Sequence, residues 1–251
     1  MFDYGAPKMY KPTTTRKGVG QHPHRGMETV TIAFQGEVEH ADSMGNTGVI
    51  GPGDVQWMTA GRGIIHEEYH SKALAKSGGM LEMCQIWVNL PAASKMVAPR
   101  YQPILAGDIP VVDLRAAGGA NGTLRIIAGS CLGATGPALT HSPIELWDVR
   151  LEADSPAATL PLAEGHAAIV FVRTGDATIG GSAVGPQGVA LMSSEGGSLV
   201  IAPAKGARCD ILVLAGAPIN EPIAARGPFV MNTQAELRQA MMDYQMGNFG
   251  T

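Results

Sequence analysis

Apolar and β-branched residues along this chain come in short runs, separated by Gly, Pro, Asn and Asp. In the first half this pattern predicts strands at Glu28–Phe34, Glu37–His40, Val55–Met58 and Met80–Leu90. Turn signals stand between them at Gln35-Gly36, at Gly45-Asn46 with Gly48, and at Gly51-Pro52-Gly53-Asp54. A second series follows at Leu124–Ala128, Ile144–Leu151, Ala168–Arg173, Ala177–Ile179 and Cys209–Leu214. Many short strands with frequent turns predict an all-β sandwich or barrel. Between the two series, Ala98–Pro110 carries Pro99, Pro103, Gly107 and Pro110 and reads as a domain connection. The boundary is set near residue 105, giving domains 1–105 and 106–251. Helix is scarce until the end. There Thr233 and Glu236 form a capping box, Leu237, Ala240, Met241 and Tyr244 share one face, and Gly247 is the stop. That stripe predicts docking on a barrel.

Composition changes the picture little. The 251 residues are 45% apolar and 16% charged with a formal net charge of −4, which disfavours a nucleic-acid footprint. The three cysteines, Cys84, Cys131 and Cys209, form no CxxC motif and no disulfide framework, as expected of a reducing cytoplasm. The first residues lack the apolar segment of a secretory signal, and runs such as Ala167–Val172 are too short to span a bilayer.

The chemistry gathers in two short pairs, His22-Pro23-His24 and His66-Glu67-Glu68. On a strand, residues i and i+2 point to the same face. Two such pairs on neighbouring strands would bring three imidazoles and one carboxylate, His22, His24, His66 and Glu68, to a single point, a ligand set suited to a redox metal. Glu67 faces the other way and is expected in solvent. His70 continues the alternation and rivals Glu68, which is preferred as a hard anionic ligand. His40, beside Asp42, is expected at the surface; His141 and His166 stand alone. Arg25 either orients an anionic substrate or pairs with an acid on the barrel rim. Trp57, Met58, Met83, Gln85 and Trp87 suit pocket lining or plain core. Gly61-Arg62-Gly63 reads as a loop needing positive φ, with no following helix to cradle phosphate.

The order His22, His24, Glu28, Gly36 resembles the first motif of cupins, and Gly51-Pro52-Gly53-Asp54, Gly61, His66 the second, with longer gaps than usual. The whole run from His22 to Ser71 closely resembles the pirin family, as do EMCQIWVNLP (Glu82–Pro91) and GPFVMNT (Gly227–Thr233). The resemblance implies two cupin (jelly-roll β-barrel) domains face to face, with one metal in the first barrel, none in the second, and a short C-terminal helix. It implies His22, His24, His66 and Glu68 as ligands of Fe²⁺, with Ni, Co, Mn or Cu able to occupy similar sites, and leaves Glu28 out of the set. It also implies about thirty further residues ahead of the segment Met1–Pro7. The activity implied is quercetin 2,3-dioxygenase: a flavonol or related enol and O₂ are the substrates, and Glu68 doubles as the base. The alternative is a non-enzymatic, iron-dependent regulator that binds a transcription factor or metabolic enzyme. A cytoplasmic monomer that touches neither nucleic acid nor membrane completes the expectation.

Overall fold

The structure is a computed structural model and describes residues 1–249. It divides into two compact units: residues 1–106 together with the segment from Asn220 onward, and residues 107–219.

The first unit is a sandwich of two antiparallel sheets. One sheet has the order β1-β8-β3-β6-β9, built from β1 (Phe2–Tyr10), β3 (Met27–Gln35), β6 (Val55–Thr59), β8 (Gly79–Asn89) and β9 (Arg100–Ile104). The other has the order β2-β7-β4-β5, from β2 (Gly18–His24), β4 (Val38–Asp42), β5 (Thr47–Ile50) and β7 (Ile64–His70). The central strand β3 is buried at seven successive residues, so it reads as a continuous apolar and threonine run. In β7, by contrast, Ile64, His66 and Glu68 are buried and alternate with half-buried neighbours. Ala33 and Leu81 of the first sheet meet Val38 and Ile50 of the second in one apolar cluster, closed by Leu74 from the short helix Lys72–Ser77. Removing that apolar surface from water is what holds the two sheets together.

The second unit repeats the plan. A six-stranded sheet includes Gly122–Ala128, Ile144–Leu151, Cys209–Gly216 and Ala167–Thr174, and a four-stranded sheet includes Ala158–Pro161 and Ser198–Pro203. Its core of Leu124, Ile126, Trp147, Val149, Val170, Ile201 and Ile211 is sealed from solvent.

Two sequence expectations change. Ala98–Pro110 contains β9, the fifth strand of the first sheet. Pro103 is tolerated because β9 is an edge strand, where a missing N–H interrupts no inner ladder. The C-terminal helix Gln234–Gln245, expected with residues 106–251, belongs to the first unit. It packs on the hairpin Ala224–Arg226/Phe229–Met231, in a cluster of Phe229, Met231, Leu237, Ala240 and Phe249 that also takes in Ile65 of β7. Apolar complementarity, not chain proximity, decides where it docks. Its capping box forms as the sequence predicts, Thr233 Oγ1 accepting from Glu236 N and Glu236 from Thr233 N.

Candidate metal centre

A one-residue irregularity builds the site. Val19 lies opposite Glu68, yet three residues later His22 lies opposite His66, only two residues back along β7. A register without this bulge would put Gln21 beside His66 and turn both His22 and His24 to the outer face. With it, the three imidazoles converge: ring centroids lie 4.3 Å apart for His22–His66 and 4.9 Å for both His22–His24 and His24–His66. One ligand nitrogen from each can be chosen so that all lie within 4.8 Å of one another.

The rings have the donor chemistry of a metal site. His24 and His66 are each 1% exposed, and none of their four ring nitrogens has a hydrogen-bond partner. Unpaired buried polar atoms are costly, and a metal ion is a partner that would satisfy them. Burial first, and then the neighbouring His22, push the His24 pKa down to about 3. The Pro228 carbonyl works in the other direction without reaching hydrogen-bond geometry. For His66, burial followed by His24, His22 and His40 brings the value to about 2. Both rings are therefore neutral at pH 7, with lone pairs available for a cation. His22 Nδ1 lies 2.8 Å from the Gly20 carbonyl inside the bulge. That contact places a proton on Nδ1 and leaves the Nε2 lone pair available to a cation.

Glu68 shares the inner face with His66 and is buried, but its carboxylate is not among the three convergent groups. Thr31 Oγ1 donates to one oxygen at 2.8 Å and Gln85 Nε2 to the other at 2.5 Å. Burial raises its pKa, while Thr31, Gln85 and His22 oppose the rise. A cavity of about 320 Å³ reaches Glu68 and Gln85 between Tyr10, Val19, Val38, Leu81 and Met83.

The other sequence candidates find their places. Glu67 faces outward and pairs with Arg16 at 3.1 Å. His70 lies outside the three-imidazole group, its ring edge against Tyr10 at 4.5 Å. Glu28 is three residues from Thr31 and so on the opposite face of β3, where it accepts from Thr59 Oγ1 at 2.6 Å. Trp57 shares that outer face through its pairing with Val30, whereas Trp87 packs edge-on against His24 at 5.2 Å. His40 corrects its surface assignment. It is 2% exposed, directly opposite Glu68, with Nε2 2.8 Å from Tyr101 Oη. Its alternation with Val38 along β4 was the available signal; nothing in the sequence pointed to Thr31 or Tyr101. Gly61 and Gly63 do adopt positive φ, at 51° and 138°. In the second unit, His166 Nδ1 lies 2.6 Å from Glu145.

Arg25 takes the second of its two expected roles. Its side chain is buried, with Nη1 2.6 Å from Asp243 of the C-terminal helix, Nε donating to the Arg62 carbonyl, and the guanidinium 4.3 Å from the Phe249 ring centroid. Its peptide pairs with the segment Pro228–Val230, immediately after His24. Gly26 is required there: a Cβ would stand 2.1 Å from the Val230 carbonyl. Lys95, 2% exposed, donates to the Gly26 and Val230 carbonyls and to Asn89. The C-terminal segment thus clamps the end of the strand that carries His22 and His24.

A jelly-roll sandwich with His-x-His on one strand and a facing His on the next defines a cupin with a candidate metal centre. Comparison with known proteins refines that class. The chain belongs to the pirin family: the Pirin profile matches residues 1–88 and the Pirin C-terminal cupin domain residues 146–250. It is 50% identical to a Pseudomonas aeruginosa protein named as a candidate quercetin 2,3-dioxygenase, over 99% of this chain and 85% of that one. A crystal structure of quercetin 2,3-dioxygenase from Acinetobacter baumannii is 47% identical with a TM-score of 0.93, covering all of this chain and 85% of that one. A bacterial pirin from Escherichia coli, solved with nickel(II), shares the fold at 24% identity and a TM-score of 0.60, over 82% of this chain and 79% of that one.

Proposed function

We propose that the protein is an iron-dependent dioxygenase that opens the ring of a quercetin-like flavonol, or a related enol, with release of carbon monoxide. The observation that carries this reading is the set of three desolvated, convergent imidazoles, next to a buried carboxylate that a cavity reaches. In it, His22, His24, His66 and Glu68 hold the metal; the names of the most similar relatives support the reaction class. Imidazole and carboxylate donors suit Fe²⁺, and Ni, Co, Mn or Cu could take the same donors. The bound metal supplies Lewis acidity toward the enol oxygen and a redox centre for dioxygen. The protein supplies the rest. Thr31 and Gln85 hold the Glu68 carboxylate as a hydrogen-bond acceptor, which favours its ionised form and fixes it to take the enol proton. Val38, Leu81 and Met83 give the cavity an apolar wall for an aromatic ring. The three buried, free cysteines suit a reducing cytoplasm.

Aerobic incubation of the iron-loaded protein with quercetin tests the assignment. The expected result is loss of the flavonol absorption band with stoichiometric carbon monoxide. An unchanged band and no carbon monoxide would remove it.

A further inference from the structure

The cavity that reaches Glu68 has a basic neighbour. An outer pocket of about 750 Å³ is lined by Thr13, Thr15, Arg16, Lys72 and Lys76, with Glu39, and it shares His70 with the inner cavity. His70 and Tyr10 stand edge to face at 4.5 Å where the two spaces meet. Two further cations lie near this boundary: Lys8 and Lys17 come within 5.4 Å and 5.5 Å of the Tyr10 ring centroid. The whole chain has a net charge of −4, yet five cations gather here against Glu39 and Glu67. Local charge of one sign at the mouth of a cleft concentrates ligands of the other sign.

The two lysines of the pocket are available to a ligand. Lys72 is held to Glu39 at only 3.7 Å and its side chain is 92% exposed, a pair whose exchange for another anion costs little. Lys76 has no ion-pair partner among the described residues. Arg16 pairs with Glu67 at 3.1 Å and stacks 3.6 Å from the Tyr69 ring centroid, which fixes its guanidinium at the pocket wall. The loop carrying the threonines is tied to the lysine-bearing helix by Thr13 N–H donating to the Ala75 carbonyl at 2.8 Å, so hydroxyls and ammonium groups face one space.

We propose that this outer pocket binds an anionic substituent of the substrate, such as a sulfate, phosphate or carboxylate, while the enolic end passes His70 toward Glu68. The preferred substrate is then a charged conjugate of an enolic aromatic, and a neutral flavonol fills only the inner half of the site. This inference rests on the inner cavity being the substrate site.

The test is anaerobic equilibrium titration of the iron-loaded protein with quercetin and with quercetin 3′-sulfate, so that binding is read without turnover. The sulfate ester is expected to bind about tenfold more tightly at low ionic strength, an advantage that shrinks toward 1 M salt. In the Lys72→Ala/Lys76→Ala double variant, folded by circular dichroism, the ratio of the two affinities should fall close to one. Equal affinities in the unmodified protein, failure of both ligands to bind, or an undiminished ratio in the double variant would overturn the inference. A preserved preference without aerobic carbon monoxide release would leave it standing and remove the dioxygenase reading. Carbon monoxide release from both ligands at equal KM would do the reverse.

Discussion

Glu68 is the residue where burial and hydrogen bonding act in opposite directions. Burial raises the pKa of its carboxyl group, and the donors Thr31 and Gln85 lower it by binding the ionised form. Gln85→Leu removes one donor, so the carboxyl pKa rises further and the proposed base is ionised over a narrower range. The acid limb of the kcat/KM profile should move to higher pH at equal metal content; an unmoved limb would show that Glu68 is not the group that titrates. The histidines make a different prediction. None of the ring nitrogens of His24 and His66 has a hydrogen-bond partner, which makes them the test of the proposed metal site. His66→Ala should weaken metal binding by about 100-fold or more, because even residues that only orient ligands are worth about 10- to 100-fold. Competition with a chromophoric chelator measures it directly.

At the scale of elements, the site depends on a bulge and a clamp. The bulge between Val19 and His22 turns His-x-His inward, and the C-terminal segment fixes the residue that follows. Asp243→Ala leaves the buried Arg25 guanidinium without its carboxylate. That should cost about 2 kcal/mol, read as a lower denaturant midpoint, because a lost hydrogen bond to a charged group is worth about 1.5–3 kcal/mol. The i, i+2 logic made three of the four proposed ligands legible in the sequence as a convergent group, since period-2 alternation is a local property. Capping of the last helix was legible for the same reason: Thr233 and Glu236 are three residues apart. The clamp was not legible, because Arg25 and Asp243 are far apart in the chain and nothing local says which barrel the helix covers. Nor were Thr31 and Tyr101, whose roles come from register across β3, β8 and β9, or the edge strand hidden behind Pro103. His40 was misplaced by its neighbour Asp42, although Val38 two residues earlier marks the inner face.

Over the whole molecule, the same desolvated imidazoles set how stability responds to pH. His24 and His66 titrate near 6.5 in the unfolded chain but near 3 and 2 in the folded one, chiefly because of burial. Below pH 6.5 the unfolded state therefore binds more protons than the native state, and stability falls as pH falls toward those lower values. Burial lowers the values for His40 and His70 as well, so they act in the same sense. Glu68 acts against them, because its raised pKa makes the folded state the better proton binder there. Burial pushes the Asp210 carboxyl up, but its arginine and threonine partners together outweigh that and hold it down to about 2, so it contributes only when the unfolded carboxylates begin to protonate. The interval from pH 7.5 to 5 is thus governed mainly by histidine. Chelator-treated protein should lose on the order of 1–2 kcal/mol per buried histidine across it, followed by urea denaturation at each pH. Metal bound at the same nitrogens would add stability at neutral pH, so the metal-loaded protein should show a higher denaturant midpoint than the chelator-treated one at pH 7.5. In metal-free His66→Leu the slope should flatten, because one of the two most strongly shifted groups is gone. A slope identical to that of the unmodified protein would place the acid sensitivity elsewhere in the fold.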